Sequence, residues 1–192
     1  MLFRSWLCLP RFDSPSAFAS ILDPERGGCF RISPAMRPFT SLQAYDSNTN
    51  VLQTLFRRPG EGSVVLTDFM PWSDDPRSSI HEVHRLVEAR EGALLLEVVF
   101  DPRLDYGRGA TRVVTTEHGA VAEGPNGERL CLSASGGVRF EPRKAGGVAA
   151  RFQARPGKRQ WLILSWQAPR PEACVAYRPF EHLRTTRRFW RS

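Results

Sequence analysis

Lysine is nearly missing from this chain. Only Lys144 and Lys158 stand among its 27 cationic side chains, the rest being arginines, a skew that follows genomic base composition as readily as function. The net charge of +7 is also unevenly placed: from Arg139 onward thirteen Lys and Arg face three acids, whereas before it fourteen face seventeen. No aromatic-interleaved basic motif of a known nucleic-acid reader accompanies the excess, so it reads as a solvated or interdomain surface rather than a nucleic-acid site. Cysteine is sparse as well. Cys8, Cys29, Cys131 and Cys174 form no C-x-x-C pair and have no histidine at ligand spacing, which argues against a zinc site. Cys8 and Cys131 lie in apolar runs and read as buried small hydrophobes, so the expected compartment is reducing, the cytoplasm. No apolar run reaches membrane-spanning length. The short one at the start is interrupted by Arg4 and stopped by Pro10 with no small-residue cleavage site behind it, so neither a secretory signal nor a membrane span is expected.

Catalytic signatures are equally thin. G-x-S-x-G, G-x-x-x-x-G-K-[ST] and G-x-G-x-x-G strings are absent, and no cysteine has a recognisable histidine partner. The H-E-V-H run at His81 and His84 lacks the i, i+4 helical spacing of a metalloprotease, and on a strand those two positions point to opposite faces. Asp101 and Asp105 in F-D-P-R-L-D-Y-G-R, and Asp74 and Asp75 in W-S-D-D-P, read as turn formers, with Arg103 and Arg108 at hand to pair the first two. No metal and no cofactor is expected.

What the chain does have is strand periodicity. At 192 residues it suits one large domain with a real core. Val51 to Arg57 and Ser63 to Met70 flank R-P-G-E-G; His81 to Arg90 and Ala93 to Phe100 are joined by E-G, the second almost continuously apolar. Thr111 to Thr116 and Ala120 to Glu123 surround H-G, Glu128 to Ser133 follows P-N-G, and Gly147 to Ala154 and Gln160 to Trp166 form a strand pair around R-P-G-K-R. The expected fold is mainly β, a large antiparallel β-sandwich. Helix is expected only near the two ends. Ser14 sits where an N-cap belongs, with Pro15 at the first helical position and Phe18, Ile21 and Leu22 at helical spacing, so a short helix is expected there. Pro179 to Ser192 carries Phe180, Leu183, Phe189 and Trp190 among arginines and reads as an amphipathic helix.

Five strings in register carry a family resemblance: W-L-C-L-P-R-F-D-S-P from Trp6, L-D-P-E-R-G-G from Leu22, N-V-L-Q-T-L-F-R from Asn50, L-T-D-F-M-P from Leu66 and F-D-P-R-L-D-Y-G-R from Phe100. Together they resemble the N-terminal β-domain, a super-sandwich, of bacterial glucoamylase and trehalase-like enzymes, the family 15 glycoside hydrolases. The resemblance implies a sandwich over residues 1–178, with its earliest strands truncated, and in 179–192 the start of a helical linker to an (α/α)6 catalytic barrel. Inverting hydrolysis needs an acid and a base carboxylate on either side of the sugar. The resembled family draws both, as glutamates, from the barrel, so no catalytic residue is expected here and the chain alone should be inactive.

The implied role is to dock that barrel and shape the mouth of its active site, with α-glucosides such as trehalose or maltooligosaccharides as the whole enzyme's substrates. Arg11, Phe12, Asp13 and Ser14 are then interdomain or sugar-rim candidates, and Phe180, Leu183, Phe189 and Trp190 linker or docking candidates. A second reading is a free-standing carbohydrate-binding or assembly module using aromatics such as Trp72, Tyr106 or Trp166.

Overall fold

The computed structural model describes residues 5–73, 75 and 80–192. Asp74 of the W-S-D-D-P turn lies outside them. Among the described residues, fourteen strands run antiparallel: β1 Leu7–Cys8, β2 Ser16–Phe18, β3 Cys29–Pro34, β4 Thr40–Tyr45, β5 Leu52–Arg58, β6 Gly62–Phe69, β7 Glu82–Gly92, β8 Leu94–Asp101, β9 Arg112–Thr116, β10 Gly119–Glu123, β11 Arg129–Ala134, β12 Glu141–Pro142, β13 Val148–Ala154 and β14 Arg159–Trp166. A helix, α1, spans Pro179–Arg191. The strands form an eight-stranded sheet in the order β4-β5-β6-β7-β14-β11-β10-β9, a four-stranded sheet in the order β12-β13-β8-β3, and the small β1-β2 pair.

Period-two alternation builds the core. Val64 and Leu66 of β6, Val83 and Val87 of β7, and Leu162 and Leu164 of β14 turn one way, and meet Leu94, Leu96, Val98 and Phe100 of β8 and Val148 and Phe152 of β13. Alternate side chains of a strand lie on one face, so two sheets facing each other close a single apolar layer. The large sheet has a second, smaller apolar layer on its other face, where Phe69, Leu86, Trp161 and Ile163 are roofed by Cys174 and by Leu183 of α1.

Two expectations need correcting. Val148–Ala154 and Arg159–Trp166 are not paired with each other: β13 pairs with β8 and β12, whereas β14 pairs with β7 and β11. The R-P-G-K-R segment is a tight turn, closed by the Lys158 N–H donating to the Arg155 carbonyl at 3.1 Å, but it carries the chain from one sheet to the other. Both strands still bury an alternating face, across the core instead of beside one another.

The second correction is at the N-terminal end, where Ser14 to Leu22 is not a helix. Ser16–Phe18 is a strand paired with Leu7–Cys8, and the cap-like Ser14 serves a turn: the Arg11 N–H donates to Ser14 Oγ at 3.2 Å and the Ser14 N–H to the Arg11 carbonyl at 3.1 Å. Of the three apolar residues at helical spacing, only Phe18 is buried; Ile21 and Leu22 are exposed. The following donors close a loop instead, with Ala19 N–H on the Gly27 carbonyl at 2.7 Å and Asp23 Oδ1 accepting from the Glu25 and Arg26 N–H groups, both at 2.9 Å. Those two N–H bonds hold the Asp23 carboxyl below the usual aspartate range. Gly28 ends the loop at φ 66°, where a Cβ would strike the Asp101 carbonyl, so glycine lets β3 enter the sheet beside β8.

Candidate functional site

Leu7, Leu9, Ala17 and Phe18 sink into the inter-sheet core and anchor the turn between β1 and β2. Phe18 packs on Phe30 and Phe100, with ring centroids 6.3 and 6.2 Å away, and those two rings meet edge-on at 5.9 Å. Each such contact adds about 0.5–1.5 kcal/mol to the burial itself. The turn therefore stands on a rigid base while its tip faces solvent. Phe12 is 93 % exposed, flanked by an ion pair in which Arg11 donates to both Asp13 oxygens, at 2.9 and 3.3 Å. The guanidinium holds the Asp13 carboxyl below the usual range. Both partners are mostly exposed, so the pair contributes little to stability. What it does is fix the ends of a loop that presents an uncovered aromatic ring.

Beneath that base lies a buried polar clamp. Arg85 of β7 donates to both Asp68 oxygens on β6, at 2.9 and 3.1 Å, and to the Phe30 carbonyl at 2.6 Å, with its guanidinium over the Phe30 ring. Arg85 is 2 % exposed. The clamp ties the large sheet to β3 of the small one. Sequence reading passed over both residues, although each interrupts an apolar face, Asp68 after Val64 and Leu66 and Arg85 between Val83 and Val87, with opposite signs.

The C-terminal candidates separate. Leu183 faces the chain's own sheet, as does Thr186, whose Oγ1 accepts the Trp72 N–H at 2.9 Å. Phe180, Phe189 and Trp190 stay partly exposed. Phe189 stacks on Trp72 at 3.4 Å and 9°, and Phe180 meets Trp161 edge-on at 5.2 Å. Asp46, just after β4, receives Arg187 at 2.7 Å and Arg191 at 2.9 Å and holds the far end of α1 down. Sequence reading missed this 141-residue reach, since nothing local marks it.

Several other titratable groups hold the fold together. His84 lies buried under α1, 2.7 Å from Glu82 and 5.7 Å ring to ring from His182; burial outweighs Glu82 and pushes its pKa down. Asp101 pairs with Arg103 at 3.2 Å and Asp105 with Arg108 at 3.7 Å, as their spacing in the sequence implies. Burial pushes the Cys131 and Cys174 thiols up to about 11 and about 12, which makes them poor nucleophiles. Of the aromatics weighed for sugar stacking, Tyr106 has Arg108 over its ring, Trp72 is covered by Phe189, and Trp166 packs on the inter-sheet core.

The sequence matches the family described as "Trehalase-like, N-terminal" over residues 4–164. It is 31 % identical over 191 residues to a trehalase of Thermoplasma acidophilum, a match covering 98 % of this chain and 32 % of that protein. Trehalases of Mycolicibacterium smegmatis and Mycobacterium tuberculosis are each 29 % identical, over 87 % and 84 % of this chain and 28 % and 26 % of theirs. The chain thus spans about a third of the length of these relatives. A family match running through nearly all of the sandwich settles its affiliation: the chain belongs to the trehalase-like N-terminal domain family.

Proposed function

We propose that this chain is the non-catalytic N-terminal β-domain of a cytoplasmic, family 15-type α-glucoside hydrolase. It docks a helical catalytic domain and helps shape the mouth of the active site. The observation that carries the reading is the Phe12 turn. A ring 93 % exposed, on a base of buried aromatics and between paired charges, is a contact held in place before its partner arrives. The partly exposed Phe180, Phe189 and Trp190 offer a second contact surface, and trehalose or a maltooligosaccharide is the whole enzyme's substrate in this reading.

Calorimetry and an end-point glucose assay on the isolated chain test it. The docking domain gives no heat with trehalose or maltooligosaccharides and releases no glucose. Millimolar or tighter binding by the chain alone would replace this reading with a free-standing carbohydrate-binding module.

A further inference from the structure

The outward side of α1 is basic without compensation. Phe180, Arg184 and Arg188 follow one another at i, i+4 spacing, which sets neighbouring side chains about 6 Å apart on one stripe, and all three are exposed. Arg187 and Arg191 spend their charge on Asp46, and Glu181, the one carboxylate of the helix, pairs with Arg178 at 2.6 Å. Arg184 and Arg188 enter no ion pair among the described residues. Two like charges at this spacing destabilise a helix by a few tenths of a kcal/mol. The helix dipole favours cations in the last turn, which accounts for Arg188 and not for Arg184 in mid-helix.

Beside the stripe opens a mainly apolar cup of about 550 Å³, walled by Trp161, Val175, Pro179 and Phe180, with the mutually neutralised Arg178–Glu181 pair on its lining. Its rim is held firm, with Phe180 edge-on to Trp161 and the Arg159 guanidinium 5.0 Å from the Phe180 ring. Val175, at 81 % exposed, lies uncovered on that rim.

We infer that the cup and the Arg184–Arg188 stripe together seat an acidic face of the downstream domain, one apolar side chain entering the cup and carboxylates meeting the two guanidiniums. This rests on the docking reading and adds to it the surface and the partner's chemistry. Two features favour a protein occupant over a phosphate-rich one: a cup suited to a side chain, and the family's description as N-terminal together with relatives of which this chain covers only about a third.

The test is a trehalase in which this chain, through α1, replaces the matching region of the Thermoplasma acidophilum enzyme, compared with the isolated chain. The parent chimera should melt in one transition at 50 mM NaCl and split into two at 500 mM. The double variant Arg184→Glu/Arg188→Glu should split already at 50 mM, while the same change lowers the melting of the isolated chain by no more than a few °C, as reversing a last-turn charge does, and the control Arg112→Glu on β9 has no effect. A double variant that melts like the control overturns the inference and leaves docking standing. A parent chimera that melts in two transitions at every salt concentration removes the docking reading itself. Retention of the isolated chain on anionic vesicles or duplex DNA, lost in the double variant while the chimera is unaffected, would give the stripe a different occupant.

Discussion

Asp68→Ala should be among the most damaging substitutions outside the apolar core. It leaves the Arg85 guanidinium at 2 % exposure with the Phe30 carbonyl and ring as its remaining partners, in place of the two-pronged bond at 2.9 and 3.1 Å. Breaking a buried pair from one side costs about 3–5 kcal/mol, because the surviving charge stays desolvated. A domain of this size has about 5–15 kcal/mol in total. At roughly 2–4 °C per kcal/mol, melting should fall by about 6–20 °C. Urea unfolding followed through the five tryptophans measures it. Replacing both partners, Asp68→Leu with Arg85→Met, removes the stranded charge and should recover about half of the loss. A deficit of about 1–3 kcal/mol should remain, since the Phe30 carbonyl loses its donor. The reasoning fails if Asp68→Ala costs under about 1 kcal/mol with an unchanged urea slope, or if the double variant is no better than the single one.

Further outcomes follow from the same geometry. Phe12→Ala and Asp13→Ala should leave the isolated chain's melting within about 0.5 kcal/mol of the parent, as exposed contacts do, yet lower trehalose turnover in the chimeric enzyme; unchanged turnover would discount the turn. His84 has a depressed pKa, so below about pH 6.5 the unfolded chain takes up a proton that the folded chain resists. Its contribution is therefore complete above that pH and is lost as pH falls toward the folded value, and His84→Phe should flatten the melting profile between pH 6.5 and 5. With Cys131 and Cys174 buried and raised to about 11 and about 12, a thiol reagent at pH 8 should label Cys8 and Cys29 first and reach the other two only in urea.

Strand positions from Leu52 to Asp101 were legible because alternation and short glycine turns both mark them. Sheet membership was not. A tight turn such as R-P-G-K-R fixes a reversal of direction, while the choice between pairing beside β14 and facing it across the core depends on β8, fifty residues earlier. The N-terminal helix signals were real but local. Ser14 can cap a helix or close a turn, and burial of Phe18 against Phe30 and Phe100 decided for the turn and strand. That Arg11, Phe12 and Asp13 are displayed on a turn was legible from Pro10 and the charges beside it, whereas the clamp beneath them needed the pairing of β6 with β7 and the approach of β3.

The central claim is that this domain meets its partner through the Phe12 turn and α1. Hydrogen exchange compared between the isolated chain and the chimeric trehalase tests it most directly. Exchange should slow at Arg11 to Ser14 and at Phe180 to Trp190, and stay unchanged in the β9–β10 hairpin. Equal exchange in both proteins at those two segments, or protection confined to the hairpin, would contradict it.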